Sequence, residues 1–213
     1  MITHPFPRKL GAALTVAVAA ASLTALGAGT SAAAPAPGQG PVTASATAPA
    51  TEGIPAIAGL SAERVRLADK VAAAKWGTDQ PIDDPARERQ VLADVAERSA
   101  GMGIDPAEAT AVFRDQIEAN KLVQRGLFAR WEAHPEERPT ERPDLAKEVR
   151  PALDRITTGL LERLKETEDA RHAPSCAARL VHGSARAALT QRLDALHGAG
   201  LARAVPSVCV REY

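Results

Sequence analysis

The chain has 213 residues, of which 24% are charged and 3% aromatic, and its 26 basic and 26 acidic residues balance to a formal charge of zero. That length suffices for one domain with a substantial core. The even charge balance and the lack of a basic tract argue against nucleic acid or an anionic membrane surface as a partner.

The first 34 residues have the pattern of a secretory signal. Arg8 and Lys9 precede an Ala/Leu/Val-rich run over residues 10–28, and small residues follow at 31–34. A basic start, an apolar middle and a small-residue cleavage site are typical of export signals. A membrane anchor is the alternative, because the run approaches spanning length. We expect cleavage, which leaves 24 basic and 26 acidic residues, no stable membrane association, and a secreted or periplasmic protein.

Residues 35–56 are rich in Ala, Pro, Gly, Ser and Thr, which predicts a disordered linker. Residues 57–213 are expected to form one all-helical domain, because the period-two alternation of strands is not sustained anywhere in them. The predicted fold is an all-α bundle of about five to six helices with one disulfide.

The first helix is predicted over residues 61–76, with Ser61 as its cap. Its apolar stripe also carries Arg64 and Lys75. They are eleven residues apart, and at 100° per residue that step returns to within about 20° of its start. Both side chains could therefore converge on one ligand. The alternative is that both snorkel at the rim of the core.

The second helix is predicted to begin at Asp84, an N-cap followed by a proline, and to end near residues 101–103. Arg87 and Glu88 lie on the same side of this helix as Val91 and Val95. Asp84 has a sufficient structural role as a cap. Arg87 could form only a surface pair with it, but the valines continue the face of Arg87 inward.

The third helix is predicted from Asp105, with Glu108 at the capping-box position, to about Trp131. Asn120 and Gln124 lie four residues apart on its apolar face, so their amides point the same way. Such a pair could bind a ligand, satisfy itself, or fix the register of the helix.

The fourth helix is predicted over residues 145–165, although Pro151 in its first turn would move the true start to about Arg150. The fifth is predicted over residues 175–196, ending at Gly198, with a short helical piece before Pro206.

The two cysteines are Cys176 and Cys209. An even count in an exported chain suggests one disulfide. Two free thiols or a metal pair are the alternatives.

The sequence shows no set of inward-facing acids that could pair with the three cations Arg64, Lys75 and Arg87. Buried charges are costly unless they are paired, so the simplest explanation is a small anionic ligand held between the helices. The sequence has no Gly-rich phosphate loop, no HExxH, no nucleophile elbow and no histidine spacing that suits a metal. We therefore predict neither a metal nor a cofactor.

In chain order, these residues resemble the secreted, all-helical chorismate mutases of the gamma subclass. The resemblance is carried by residues 62–64, 71–76, 81–84 with Arg87, 112–117 with Asn120 and Gln124, 150–154, and 173–178 with Cys209. It implies that chorismate is rearranged to prephenate without a cofactor or a covalent intermediate. It also implies a single-chain active site inside one helical bundle, a homodimer, and a disulfide between Cys176 and Cys209.

The resemblance also implies roles for eight residues. Lys75 and Gln124 would donate to the ether oxygen, Arg64 and Arg150 would bind carboxylates, Arg87 would bind on the same anionic side, Asn120 would add a neutral hydrogen bond, and Asp84 and Glu88 would meet the ring hydroxyl. The alternative function is a non-enzymatic exported domain that binds a small anion or a partner protein. A pure binder has no need of the pair Lys75 and Gln124, which favours the enzyme.

A glutamine donates hydrogen bonds at any pH, whereas relatives with a carboxylic acid at position 124 need it protonated. We therefore expect activity to be roughly flat from pH 5 to 8 and to fall on the alkaline side as Lys75 loses its proton. The clustered arginines are expected to lower the pKa of that lysine.

Overall fold

The computed structural model describes the backbone of residues 50–210 and the side chains of residues 53–210. This part of the chain contains α-helices and no β-strand, which confirms the all-α class. The helices are α1 (Ala50–Arg66), α2 (Ala68–Lys75), α3 (Pro85–Gly101), α4 (Pro106–Ala133), α5 (Arg150–Glu166), α6 (Glu168–His172), α7 (Cys176–Thr190) and α8 (Ala195–Ala204). A 3-10 turn spans Pro135–Glu137, and a π-helical turn spans Leu145–Val149.

The predicted signal, residues 1–34, and most of the predicted linker, residues 35–49, lie outside the described residues. None of the described helices combines the length and apolar character that crossing a bilayer requires.

The end of the predicted linker is wrong. The helix α1 begins at Ala50, so residues 50–56 belong to the helical domain. Ile54 and Ile57 are fully buried, because α1 packs against α5, α7 and α8. Ser61, predicted as a cap, instead lies inside α1, where its hydroxyl accepts a hydrogen bond of 2.8 Å from Gln116 Nε2.

Two predicted helices are each divided into two. Leu67 separates α1 from α2, so Arg64 and Lys75 lie on different helices. The predicted fifth helix is interrupted after Thr190, where Arg192 adopts a φ of 53°. Gly198 therefore lies inside α8 and does not end a helix. Because of these breaks and the short α6, residues 50–210 contain more helices than the five to six expected.

The predicted starts of the middle helices are confirmed. The Asp84 carboxylate accepts a hydrogen bond of 3.0 Å from the Arg87 amide, and Asp105 accepts one of 2.7 Å from the Ala107 amide. Each cap precedes a proline at the first helical position, where the missing N–H costs nothing. The true start of α5 is Arg150, as expected. The capping box is not formed, because Glu108 pairs with the buried Arg171.

The core is held by close helix contacts and by one covalent tie. A Cβ on Gly183 of α7 would lie 2.7 Å from the Cα of Pro55, so glycine is what lets α7 approach α1. The Cys176–Cys209 disulfide is confirmed, with an Sγ–Sγ distance of 2.04 Å. One cavity is lined by α1, α2, the first two turns of α3, α4 and the start of α5.

Candidate active site

A cavity of about 410 Å³ lies among α1 to α5 and the π-helical turn. That volume is in the range of small-molecule sites, roughly 300–1,000 Å³. All eight residues singled out from the sequence line it: Arg64, Lys75, Asp84, Arg87, Glu88, Asn120, Gln124 and Arg150. The rest of the wall is mostly apolar, with Val71, Ile82, Val91, Ile117, Leu145, Val149 and Leu153, and it also includes Gln80 and Lys121.

Arg64 is one of the two buried cations of the cavity, at 8% exposure. Its guanidinium lies 5.9 Å from the centre of the Phe113 ring, and one amino group donates to Thr157 Oγ1 at 3.5 Å. Within residues 53–210, the Nε–H has no hydrogen-bond partner. Burial lowers the pKa of Arg64 to about 10, and the charge of Asp154 opposes that shift. Arg64 is therefore a charged donor at neutral pH with unused hydrogen-bonding capacity.

Lys75 is the last residue of α2 and is half-buried in the cavity wall. Its ammonium donates to the Pro81 carbonyl at 2.8 Å, which leaves two hydrogens for a ligand. The pKa of Lys75 is lowered, in the direction expected, but the cause differs. Burial lowers it, whereas the carboxylates of Asp84, Asp83 and Glu88 act to raise it.

Gln124 and Asn120 contact each other across one turn of α4. The Gln124 amide nitrogen donates to Asn120 Oδ1 at 2.6 Å, so the pair partly satisfies itself. An amide nitrogen carries two hydrogens. The second hydrogen of Gln124 has no partner among the described residues, and Gln124 is only 2% exposed. Asn120 thus fixes the orientation of a buried donor.

Arg87 and Arg150 lie at the exposed side of the cavity, so the expectation that Arg87 is buried is wrong. The Arg87 guanidinium donates to Gln90 Oε1 at 2.7 Å and forms no ion pair with Asp84. A second cavity of about 260 Å³ begins at these two arginines and also reaches Arg64. Three guanidinium groups therefore border one region from three different helices.

Lys121 is a cavity residue that was not predicted from the sequence. It follows Asn120 on α4 and is 8% exposed. Its ammonium donates to both carboxylate oxygens of Glu88, at 3.2 and 3.3 Å. Asn120 lies on the apolar stripe of this helix, and the next residue is rotated by about 100° around the helix axis. The stripe therefore does not indicate Lys121.

The cavity has an excess of positive charge. Five cations and two carboxylates line it, so the formal charge of its wall is +3. Within the described residues, Arg64, Lys75, Arg87 and Arg150 have no carboxylate within 4.0 Å, whereas Lys121 is paired with Glu88. Unpaired cations around a partly apolar cavity favour an anionic small molecule.

Among the described residues, the His, Cys, Asp and Glu side chains around this cavity do not form a group of three that could hold a metal ion. In the described part of the chain, His134, Glu136 and Glu137 are the group whose ligand atoms come within 4.8 Å of one another. All three are exposed, lie in the connector after α4, and are not part of the cavity wall. Glu137 is already paired with Arg130.

Comparison with known proteins gives consistent results. A model of the chorismate mutase type II family matches residues 56–125. The secreted chorismate mutase of Mycobacterium tuberculosis is 35% identical over 164 residues, which are 77% of this chain and 82% of that protein. The secreted chorismate mutase of Mycolicibacterium smegmatis is 32% identical over 167 residues, which are 78% and 92% of the two chains. The crystal structure of chorismate mutase from Burkholderia phymatum has a TM-score of 0.72 and 34% identity, and the match covers 76% of this chain and 98% of that chain.

Proposed function

This chain belongs to the chorismate mutase family, and we propose that it rearranges chorismate to prephenate in the cavity among α1 to α5. The observation that carries the proposal is the set of four cations without ion-pair partners beside the buried Gln124 amide. Chorismate is a dianion, and it can neutralise cations for which the protein supplies no acids.

The chemistry needs fixed donors and no covalent intermediate. One C–O bond breaks while one C–C bond forms within the same molecule, and negative charge grows on the ether oxygen. Lys75 of α2 and Gln124 of α4 donate to that oxygen. Because both donors are held before the reaction by Pro81 and Asn120, they stabilise the transition state more than the ground state.

The remaining site residues bind and orient the substrate. Arg64 and Arg150 bind its carboxylates, with Arg87 on the same side. Asp84 and Glu88 accept from the ring hydroxyl, and Asn120 adds a neutral hydrogen bond. The apolar side chains of the wall exclude water, which strengthens each of these interactions.

The test is loss of chorismate absorbance with the purified protein, with Lys75→Ala and Gln124→Ala alongside. Each variant should lose roughly 10²–10³ in kcat, since each removes a donor to the developing charge. Lys70→Ala is the matched control, because Lys70 is exposed on the same helix as Lys75 and lies outside the cavity. A folded wild-type protein that binds chorismate without converting it would instead be an anion-binding domain.

The export of the protein is part of the same proposal. Two relatives are named secreted, and residues 8–34 have the pattern of a signal. The mass of the protein recovered from the medium or periplasm should correspond to a chain that begins near residue 35. Full-length protein in the membrane fraction would favour the anchor. The homodimer stays a prediction, and light scattering of the purified protein tests it.

A further inference from the structure

Lys121 is surrounded by carboxylates from three segments of the chain. Its ammonium lies 2.5 Å from Glu118 of α4, 3.2 Å from Glu88 of α3 and 3.3 Å from Asp83 of the preceding loop. Among these acids, Glu88 lines the cavity. Lys121 also lines the cavity, so this ion pair with Glu88 is part of the cavity wall.

The position of Glu88 presents an electrostatic problem. Its carboxylate lies in a wall that, under the proposed function, faces a dianion. An unpaired carboxylate there would repel the substrate, and like charges brought together in a partly enclosed site are unfavourable. The two hydrogen bonds from Lys121 hold both oxygens of Glu88 and oppose its charge.

We propose that Lys121 is a positioning residue that fixes the Glu88 carboxylate and cancels its repulsion of the anionic substrate. This role rests on the proposed function, and it predicts an effect mainly on KM. It also explains how an acid that accepts from the ring hydroxyl is tolerated in an anion-binding cavity.

Lys121 remains charged throughout the neutral range. Burial acts to lower its pKa, but hydrogen bonds to Glu118, Glu88 and Asp83 outweigh burial and raise the pKa above its usual value. The lysine therefore opposes the charge of Glu88 over the pH range in which activity is expected.

The competing explanation is that Lys121 only ties α3 to α4. Arg125 provides a matched control, because it lies one turn further along α4 and donates to both carboxylate oxygens of Asp83 at 2.7 Å. Arg125 is exposed and does not line the cavity. Arg125→Met removes a tie between α4 and the loop that precedes α3, which Lys121 also contacts at Asp83, without changing the charge of the cavity wall.

The experiment is steady-state kinetics on chorismate with five forms of the full protein: wild type, Lys121→Met, Lys121→Arg, Arg125→Met and the double variant Lys121→Met/Glu88→Gln. Lys121→Met should raise KM about tenfold with a smaller change in kcat. Lys121→Arg should restore most of the affinity, and Arg125→Met should change KM by less than about twofold. The double variant should recover much of the loss, because it also removes the unpaired acid.

Three results would overturn this role: an unchanged KM in Lys121→Met, an equal rise in Arg125→Met, or no recovery in the double variant. If Lys121→Met does not fold, Lys121→Gln replaces it, since glutamine keeps N–H donors and lacks the charge. Turnover by the wild type separates the two proposals. Without turnover both fail, whereas turnover with an unchanged KM in the variant refutes the role of Lys121 alone.

Discussion

At the residue scale, the donors proposed for the ether oxygen differ in their response to pH. The Gln124 amide is neutral and keeps its hydrogens throughout. The Lys75 ammonium loses a proton at high pH, and burial brings its pKa below the usual value. Arg64, with a pKa of about 10, loses its charge in the same alkaline direction. We therefore expect kcat/KM to be flat from pH 5 to 8 and to fall only above that range.

Gln124→Glu should convert this flat profile into one that falls as pH rises. A carboxyl group donates to the ether oxygen only while it is protonated, and the ionised form places a negative charge beside the developing one. Above the pKa of the new acid, kcat/KM should fall about tenfold for each pH unit. Measuring kcat/KM of both forms from pH 5 to 8 tests this. A steep fall in the wild type between pH 5 and 7, or a flat profile in the variant, would contradict it.

The site residues that could be predicted from the sequence share one property. Arg64, Lys75, Asn120 and Gln124 interrupt apolar stripes, and a polar residue on such a stripe is visible without coordinates. Lys121 is different, because its role depends on Asp83 and Glu88, more than 30 residues away in sequence. The exposure of Arg87 could not be predicted from the sequence either, because it depends on how α3 packs against the other helices.

At the element scale, helix starts could be predicted and helix interruptions could not. Asp84 and Asp105 cap backbone amides that lie two or three residues further along the chain, so a local sequence pattern is sufficient to predict where each helix begins. Leu67 is neither a glycine nor a proline, and Arg192 adopts a positive φ that gives no sequence signal. The start of α1 at Ala50 is equally invisible, because contacts with other helices bury Ile54 within an Ala/Pro-rich stretch.

The start of α8 is bound to α2 through His197, which gives this contact a pH dependence. The ring lies 2.8 Å from Asp69 Oδ1 through Nε2 and 2.6 Å from Asp194 Oδ1 through Nδ1. The Asp69 hydrogen bond, opposed by burial and assisted by Asp194, raises the pKa of His197 to about 9. The folded state therefore holds this proton more tightly than the unfolded chain. The resulting stability is fully present below about pH 6.5 and is lost as pH rises through 9.

His197→Gln should lower the free energy of unfolding at pH 6 by about 1 to 2 kcal/mol, a value that allows for solvent screening of the exposed carboxylates. In the same variant, the free energy of unfolding should no longer show the change between pH 6.5 and 9 that His197 causes. Denaturant unfolding at pH 6, 7.5 and 9 provides the measurement. If the free energy of unfolding depends on pH equally in both proteins, the ion pairs of His197 do not contribute to stability.

At the scale of the whole helical domain, the disulfide constrains the C-terminal part of the chain. It joins the first residue of α7 to a residue beyond α8, across a separation of 33 residues. Removing it with Cys176→Ser/Cys209→Ser should lower the free energy of unfolding by roughly 3–4 kcal/mol, since the unfolded chain regains the freedom of that loop. Chemical denaturation of the variant tests this. The wild type in a reducing agent should behave like the variant, and a difference between them would point to an effect of the serines.

The burial of Arg64 lowers the stability of this fold, and the proposed activity is what requires it. A guanidinium at 8% exposure, whose Nε–H has no partner among the described residues, is less favourable for folding than a hydrocarbon side chain of similar length. Arg64→Met should therefore raise the free energy of unfolding by about 1 to 2 kcal/mol, or the melting temperature by about 3 to 6 °C, while it abolishes turnover. Thermal unfolding beside the chorismate assay would reveal both effects. Selection for stability alone would favour the replacement of this arginine, whereas selection for the reaction retains it.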